Sequence, residues 1–311
     1  MTPAHPSQRP FDLVVLDLDG TILDLYHHRP VSQAVQETLA AVQAAGIPVA
    51  IATGRTLDYV RANIAHLGIT APVVATQGAV IGDPQTGKIL YEADIPLELA
   101  RAAAAWLDSH PFITALYFLN PDGRMDIVQN RAGPEPDFYD HVFGRPRRFH
   151  PTFSDLLVDD DVRPPLKFII VEDAATEGVD LIGELRARFS PGLTITRTHP
   201  RLVEGTAQGV DKGAGVVRLC QLLGVDPARA LAIGDSDNDI PILEAVGFGV
   251  AMGNASANLM AVADWVAPPI DEDGAAVALR RWALGQDPIQ DPAPDTVTPS
   301  LDESLRRGYT G

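Results

Sequence analysis

Residues 11–21 read FDLVVLDLDGT, an apolar run over 13–16 closed by Asp17, with Asp19, Gly20 and Thr21 directly behind it. An unbroken stretch of Leu and Val suits a strand buried on both faces, as in parallel sheets covered by helices. Its acidic residues then fall at the carboxyl end of the strand, where open parallel sheets collect ligands. Gly20 relieves steric limits on the backbone there, and Thr21 is placed to cap the next segment.

Working outward, residues 31–46 set Val31, Val35, Leu39 and Val42 at helical spacing, with Ser32 as cap and Gly46 as stop. IPVAIATGR (47–55) reads as a second buried strand, RTLDYVRANIAHLG (55–68) as a helix and APVVATQGAV (71–80) as a third strand. The result is a β-α-β-α-β run with short connections. Texture then changes: 81–95 resembles a hairpin, 96–110 a helix, and ITALYFL (113–119), GRMDIVQ (123–129) and LKFIIVED (166–173) strands. Residues 130–151 are loop-like from their Pro and Gly, 180–189 helical, and 193–205 extended. Parallel-sheet texture resumes with a helix at 213–224, a strand ending in carboxylates at 228–239, and short strands at 248–254 and 264–269. The expected fold is α/β: a Rossmann-like core with a parallel sheet, over 11–83 and 205–285, interrupted by an inserted α+β domain over 84–204. Residues 1–10 and 286–311 are expected to be flexible, the latter because its Pro, Asp, Ser and Thr cannot bury enough surface to offset chain ordering.

The 311 residues suffice for about two domains, and 46% apolar with 21% charged residues is ordinary globular usage. A net charge of −17 argues against attraction to nucleic acid or anionic membranes, so an anionic ligand needs a local positive site. The single cysteine, Cys220, makes no internal disulfide and permits a reducing compartment. Without a secretory or transit pattern or an apolar span of bilayer length, the expectation is a cytoplasmic protein.

A second acidic cluster, Asp235, Asp237 and Asp239, follows the strand ALAIG (230–234). Alone, DLDGT fits an Asp-Gly turn and GDSDND a solvated acidic loop. Together they repel: like charges 4 Å apart cost about 4 kcal/mol at an effective dielectric of 20, so the group requires a cation. Hard oxygen ligands with no His or Cys nearby point to Mg²⁺. Such a site can hold a phosphoryl group while one carboxylate attacks phosphorus and another handles the leaving group's proton, which is transfer through an aspartyl phosphate. Thr53 and Lys212 lie in segments suited to supplying a hydroxyl and a positive charge.

These residues resemble the Cof-type phosphatases of the haloacid dehalogenase superfamily. Four motifs match in order: DLDGT at 17–21, ATGR at 52–55, DKG around Lys212 and GDSDND at 234–239, followed by MGNAS at 252–256 and DEDG at 271–274. The resemblance implies that Asp17 is the nucleophile and Asp19 the acid that protonates the leaving alkoxide and then the base that activates water. It implies that Thr53, Gly54, Arg55, Lys212 and Asn238 serve the phosphate, and that Asp235 and Asp239 hold Mg²⁺ beside Asp17 and the Asp19 carbonyl, with Asn254 organising the site. It makes the inserted domain a mobile cap. An acid at Asp19 favours phosphate over halide chemistry, because halide leaves without a proton. The sequence departs from the family where Gln77 replaces a common Asn, and at Ile270 and Met260. The expected activity is Mg²⁺-dependent hydrolysis of a small phosphorylated metabolite, a sugar phosphate or similar phosphomonoester. The alternatives are a phosphotransferase or mutase, and a non-catalytic phosphometabolite-binding regulator.

Other signals have plainer readings. GDPQTGKI (82–89) nearly spells a phosphate loop, but Ile89 takes the Ser/Thr position and a strand follows, which favours a hairpin turn. No His pair has zinc-binding spacing, and His27 and His28 are placed to flank an entrance. Arg131, Arg145, Arg147 and Arg148 fit a solvated cap surface or substrate recognition; Phe138, Tyr139 and Phe143 fit cap core or a sugar platform. Cys220, on an apolar helix face, reads as an inert buried thiol.

Overall fold

The computed structural model describes residues 9–24 and 29–286. Most of both expected flexible ends, and His27 with His28, lie outside the described residues. In chain order the first elements are β1 (Leu13–Leu16), α1 (Gln33–Ala44), β2 (Val49–Ile51), α2 (Leu57–Ile64), β3 (Val73–Ala75), β4 (Val80–Gly82) and β5 (Ile89–Glu92). Next come α3 (Leu97–Asp108), β6 (Ile113–Leu119), β7 (Met125–Gln129), α4 (Pro136–Phe143), β8 (Arg148–Phe149), β9 (Lys167–Val171), α5 (Leu181–Phe189), β10 (Leu193–His199) and β11 (Leu202–Ala207). The chain finishes with α6 (Lys212–Leu223), β12 (Ala230–Gly234), α7 (Ile240–Ala245), β13 (Phe248–Ala251), α8 (Ala257–Val262), β14 (Trp265–Val266) and α9 (Gly274–Ala278).

Five parallel strands form the core sheet in the order β14-β13-β12-β1-β2. β1 lies between β12 and β2 and is fully buried; Val14 and Leu16 join the apolar cluster on one face, Leu13 and Val15 that on the other. This two-sided burial is why its sequence is uninterrupted in hydrophobicity. Ser32 caps α1 by accepting from the Val35 amide at 3.2 Å, as its sequence position suggests. β3 meets β2 through one parallel bridge, Ala52 to Val74, and pairs antiparallel with β4, which pairs with β5. The β4–β5 turn is closed by Asp83, whose Oδ1 accepts from the amides of Gln85 and Thr86, so the loop-like GDPQTGKI is a hairpin.

The intervening chain builds a second sheet, ordered β10-β11-β9-β6-β7-β8 and antiparallel except at its β7–β8 edge. The protein is thus α/β with a parallel core sheet and an additional antiparallel cap sheet. One expectation is corrected here: residues 130–151 are not merely loop but contain α4 and β8. Pro136 lies in the first turn, where its missing N–H costs nothing, and Tyr139 and Phe143, four residues apart, bury one face. Those two rings belong to the cap core. Three members of the basic cluster are paired: Arg145 and Arg147 bind Asp140, and Arg148 binds Asp126. Cys220 is buried. Among the described residues, no helix is long and apolar enough to cross a membrane.

Candidate active site

Asp17, Thr53 and Asp235 each follow the carboxyl end of a strand, β1, β2 and β12, that are neighbours in the core sheet. Asp17 is 4% exposed, and its amide donates to the Ile233 carbonyl at 2.9 Å, which fixes the exit of β1 against β12. Lys212 opens α6, whose N-cap Asp211 accepts from the Ala214 amide at 2.8 Å. Its buried ammonium lies 2.6 Å from Asp17 Oδ1 and 2.7 Å from Asp239 Oδ1. The other Asp239 oxygen accepts from the amides of Asp235 and Ser236 at 3.0 and 3.1 Å, tying the 235–239 loop together.

One carboxylate oxygen from each of Asp17, Asp235 and Asp239 lies within 4.8 Å of the others. Burial, followed by the charge of Asp239, raises the Asp17 carboxyl well above the usual range despite Lys212. The same two causes push Asp235 up to about 7. Burial alone would lower Lys212, but Asp17 and Asp239 hold it above its ordinary value. Three clustered carboxylates and one ammonium leave excess negative charge in a site of hard oxygen donors, which fits a divalent cation.

Gly20 stands against this group with φ +89°; a Cβ there would meet Asp235 Oδ2 at 2.2 Å. The Gly20 carbonyl accepts from Asn254 Nδ2 at 2.9 Å, and Asn254 Oδ1 accepts from the Ile270 amide at 2.9 Å. Thr21, expected as a cap, instead donates to Asp235 Oδ1 at 3.3 Å. Asp237 is outside the acidic group and anchors Ser256 and Asn258 at 2.5 and 3.1 Å.

The second motif joins the core to the cap. Thr53 is fully buried, its amide held by the Val74 carbonyl at 2.8 Å and its hydroxyl accepting from the Arg55 amide at 3.1 Å. A Cβ on Gly54 would meet Gln77 Nε2 at 2.5 Å. Arg55 binds Asp19 Oδ2 through Nε at 2.8 Å, lies 4.8 Å over the Tyr59 ring and donates to the His141 carbonyl on α4. Asn238 bonds Gln77 at 3.3 Å.

Four participants carry no motif in the sequence: Lys167, Glu204, Tyr117 and His141. Lys167, 1% exposed, pairs with Glu204 at 2.6 Å and donates to the Gly54 carbonyl at 3.0 Å, with its ammonium 4.8 Å from the Tyr117 ring centre. Burial lowers its ammonium pKa, with Glu204 opposing. The available signal was one charge inside each of two apolar strands, LKFIIV and LVEGTA.

Residues 14–279 match the family model of the haloacid dehalogenase-like hydrolases. The chain is 30% identical over 283 residues to Phosphatase YwpJ of Bacillus subtilis, covering 85% of this chain and 97% of that protein. It is 30% identical over 270 residues to a phosphoglycolate phosphatase of Methanopyrus kandleri, covering 86% and 96%. A solved haloacid dehalogenase-like hydrolase from B. subtilis superposes with a TM-score of 0.75 at 26% identity, covering 86% of this chain and 99% of that one.

Proposed function

The chain belongs to the haloacid dehalogenase-like hydrolase family and is a phosphoric monoester hydrolase, and from that premise we propose that it is a cytoplasmic, Mg²⁺-dependent phosphatase acting on a small phosphorylated metabolite through an aspartyl phosphate. The observation that carries this reading is the Lys212 ammonium shared by Asp17 and Asp239, with Asp235 alongside. In this reading the core comprises residues 11–83 and 205–285 and the cap residues 84–204.

The Asp17 oxygen not engaged by Lys212 attacks phosphorus as the bond from phosphorus to the leaving oxygen breaks, and Asp19 gives that oxygen a proton. Water then attacks the acyl phosphate, Asp19 takes its proton, and cleavage of the phosphorus bond to Asp17 frees inorganic phosphate and restores the carboxylate. Lys212 offsets the phosphoryl charge and restrains Asp17; Thr53, Gly54, Arg55 and Asn238 line the phosphate position. Arg55 orients Asp19 through their 2.8 Å bond. A divalent cation would be held by Asp235 and Asp239 beside Asp17 and the Asp19 carbonyl, and would supply charge neutralisation for the nucleophile and the phosphoryl oxygens.

The test is phosphate release from 4-nitrophenyl phosphate with Mg²⁺ or with EDTA, using Asp17→Asn as control. Turnover that needs Mg²⁺ and vanishes in the variant supports the reading; turnover that survives Asp17→Asn contradicts it.

A further inference from the structure

Two opposite charges sit inside the apolar strands of the cap sheet, Lys167 on β9 and Glu204 on β11, 1% and 4% exposed. They meet at 2.6 Å. Replacing a buried ion pair by apolar side chains of similar size is commonly neutral or stabilising, so the stability of the fold does not account for a lysine and a glutamate here. Their other contacts do, because both reach out of the cap sheet into the core.

The Lys167 ammonium donates to the Gly54 carbonyl at 3.0 Å. The peptide joining Gly54 to Arg55 is thereby held at both edges: its carbonyl by the cap, and its N–H by Thr53 Oγ1, which accepts from the Arg55 amide at 3.1 Å. A planar trans peptide sends these two groups in opposite directions, so fixing the carbonyl aims the N–H. A threonine hydroxyl carries one hydrogen; with its oxygen engaged by that N–H, the O–H is left to donate to the phosphoryl oxygens of the proposed site. The Thr53 backbone is fixed as well, its amide donating to the Val74 carbonyl at 2.8 Å and its carbonyl accepting from the Gln77 amide at 3.1 Å.

Glu204 keeps the ammonium in this place. Its Oε1 accepts from the Thr198 hydroxyl at 2.7 Å and from Gln77 Nε2 at 3.4 Å, and Gln77 Oε1 accepts from Asn238 Nδ2 at 3.3 Å, so the carboxylate that holds Lys167 is itself tied to both the cap sheet and the core. The Tyr117 ring, its centre 4.8 Å from the ammonium, covers a further side. Burial lowers the Lys167 pKa, Glu204 opposes this, and Arg55 and Lys212 lower it further, which sets the ammonium within the field of the phosphate site.

We propose that Lys167 is a positioning residue for the phosphate site: clamped by Glu204, it acts through the peptide between Gly54 and Arg55 to aim the Thr53 hydroxyl. The proposal rests on the phosphatase reading and adds a residue of the cap sheet, outside the sequence motifs, on which phosphate binding depends.

The experiment measures the affinity of the full chain for inorganic phosphate in the presence of Mg²⁺ by titration calorimetry, with folding checked by melting. Removing Lys167 alone strands the Glu204 charge, so the test variant is the double change Lys167→Met with Glu204→Gln, which is uncharged and keeps an amide oxygen for Thr198 and Gln77. Its Kd for phosphate is expected to rise about tenfold or more, as for a lost hydrogen bond to a charged group, with the Mg²⁺ concentration for half-maximal activity unchanged. Introduced into Thr53→Val, the same double change is expected to add little, because the hydroxyl it acts through is gone. An unchanged phosphate Kd in the folded variant overturns the proposal. A loss that multiplies in full with that of Thr53→Val overturns it too, as does a Mg²⁺ requirement that rises in step, the mark of general disruption. Lys167→Met with Glu204→Met is the second version should the first not fold; if neither folds, the pair serves stability and the proposal fails. Hydrolysis of 4-nitrophenyl phosphate separates the two levels: if it is absent or survives Asp17→Asn, the phosphatase reading fails and this proposal with it, whereas Asp17-dependent hydrolysis with an unchanged phosphate Kd in the folded variant defeats the role of Lys167 alone.

Discussion

Lys212 Nζ lies 2.6 Å from an oxygen of Asp17 and 2.7 Å from one of Asp239, so a single buried ammonium joins the end of β1 to the loop after β12. The two carboxylates are more than two hundred residues apart in the chain and meet because β1 and β12 are paired in register, Leu16 beside Ile233. Lys212→Met leaves Asp17, Asp235 and Asp239 facing one another without their cation. The expected outcome is a fall in kcat of about 10²-fold or more, as for loss of a preorganised charge at a transition state, with destabilisation of about 3–5 kcal/mol from breaking a buried pair. Steady-state kinetics and chemical denaturation check the two parts.

Arg55 orients Asp19, and the consequence depends on the leaving group. Arg55→Ala frees Asp19 from its 2.8 Å bond and removes the link to the His141 carbonyl. In the proposed mechanism an alkyl leaving group needs the Asp19 proton, whereas 4-nitrophenolate departs readily without it. The variant is therefore expected to lose about 10²-fold in kcat on an alkyl phosphate and markedly less on 4-nitrophenyl phosphate. Arg55→Lys does not restore the alkyl rate, because a point charge lacks the fork that engages Asp19 and the cap together. Equal losses on both substrates would place Arg55 in phosphate binding alone.

The core was legible because its strands carry chemistry at one end: each acidic or Thr-bearing motif follows an apolar run, and local spacing suffices to find it. The cap's contribution was not. Lys167 and Glu204 are 37 positions apart and meet only through the antiparallel pairing of β9 with β11, which sets Lys167 beside Thr206 and Glu204 beside Ile169. No local pattern encodes that register. α4 was hidden for a different reason: Gly133 and Pro134 lead into it and Pro136 opens it, which reads as loop, while Tyr139 and Phe143 bury one face in the cap core. Gln77 could be noted in the sequence as a departure from the family, but its role as the amide between Asn238 and Glu204 required the three-dimensional relay.

Proton and cation compete for the acidic group. Asp235 has an ordinary value of 3.8 and is pushed up to about 7 in the fold, chiefly by burial and then by Asp239. Between these values the native state retains a proton that the unfolded chain has released, so this site's contribution to stability falls as pH rises from about 4 to about 7 and stays lost above. In the proposed site a cation would take the proton's place. Mg²⁺ is accordingly expected to raise the melting temperature more at pH 8 than at pH 5, by a few degrees for a domain of this size. Comparing Mg²⁺ with EDTA at each pH isolates this effect from other titrating groups; a shift as large at pH 5 as at pH 8 would count against the site.

Gly20 offers the sharpest separation of cation binding from the rest of the mechanism. Its φ of +89° suits glycine, and a Cβ would stand 2.2 Å from Asp235 Oδ2. The obstacle is the carboxylate head itself, whose Oδ1 is within reach of Thr21 and whose Oδ2 accepts from the Ser236 hydroxyl at 3.2 Å, so relief comes by rotating Asp235 away from Asp17 and Asp239. Lys212 and Arg55 bind Asp17, Asp239 and Asp19 and are not directly displaced. Gly20→Ala is expected to raise the Mg²⁺ concentration for half-maximal activity by about tenfold or more, with a stability loss of about 1–3 kcal/mol from the strained backbone. Titrating activity with Mg²⁺ at saturating substrate reads the first effect and denaturation without Mg²⁺ the second. An unchanged Mg²⁺ requirement in a folded variant would show that Asp235 does not hold the cation.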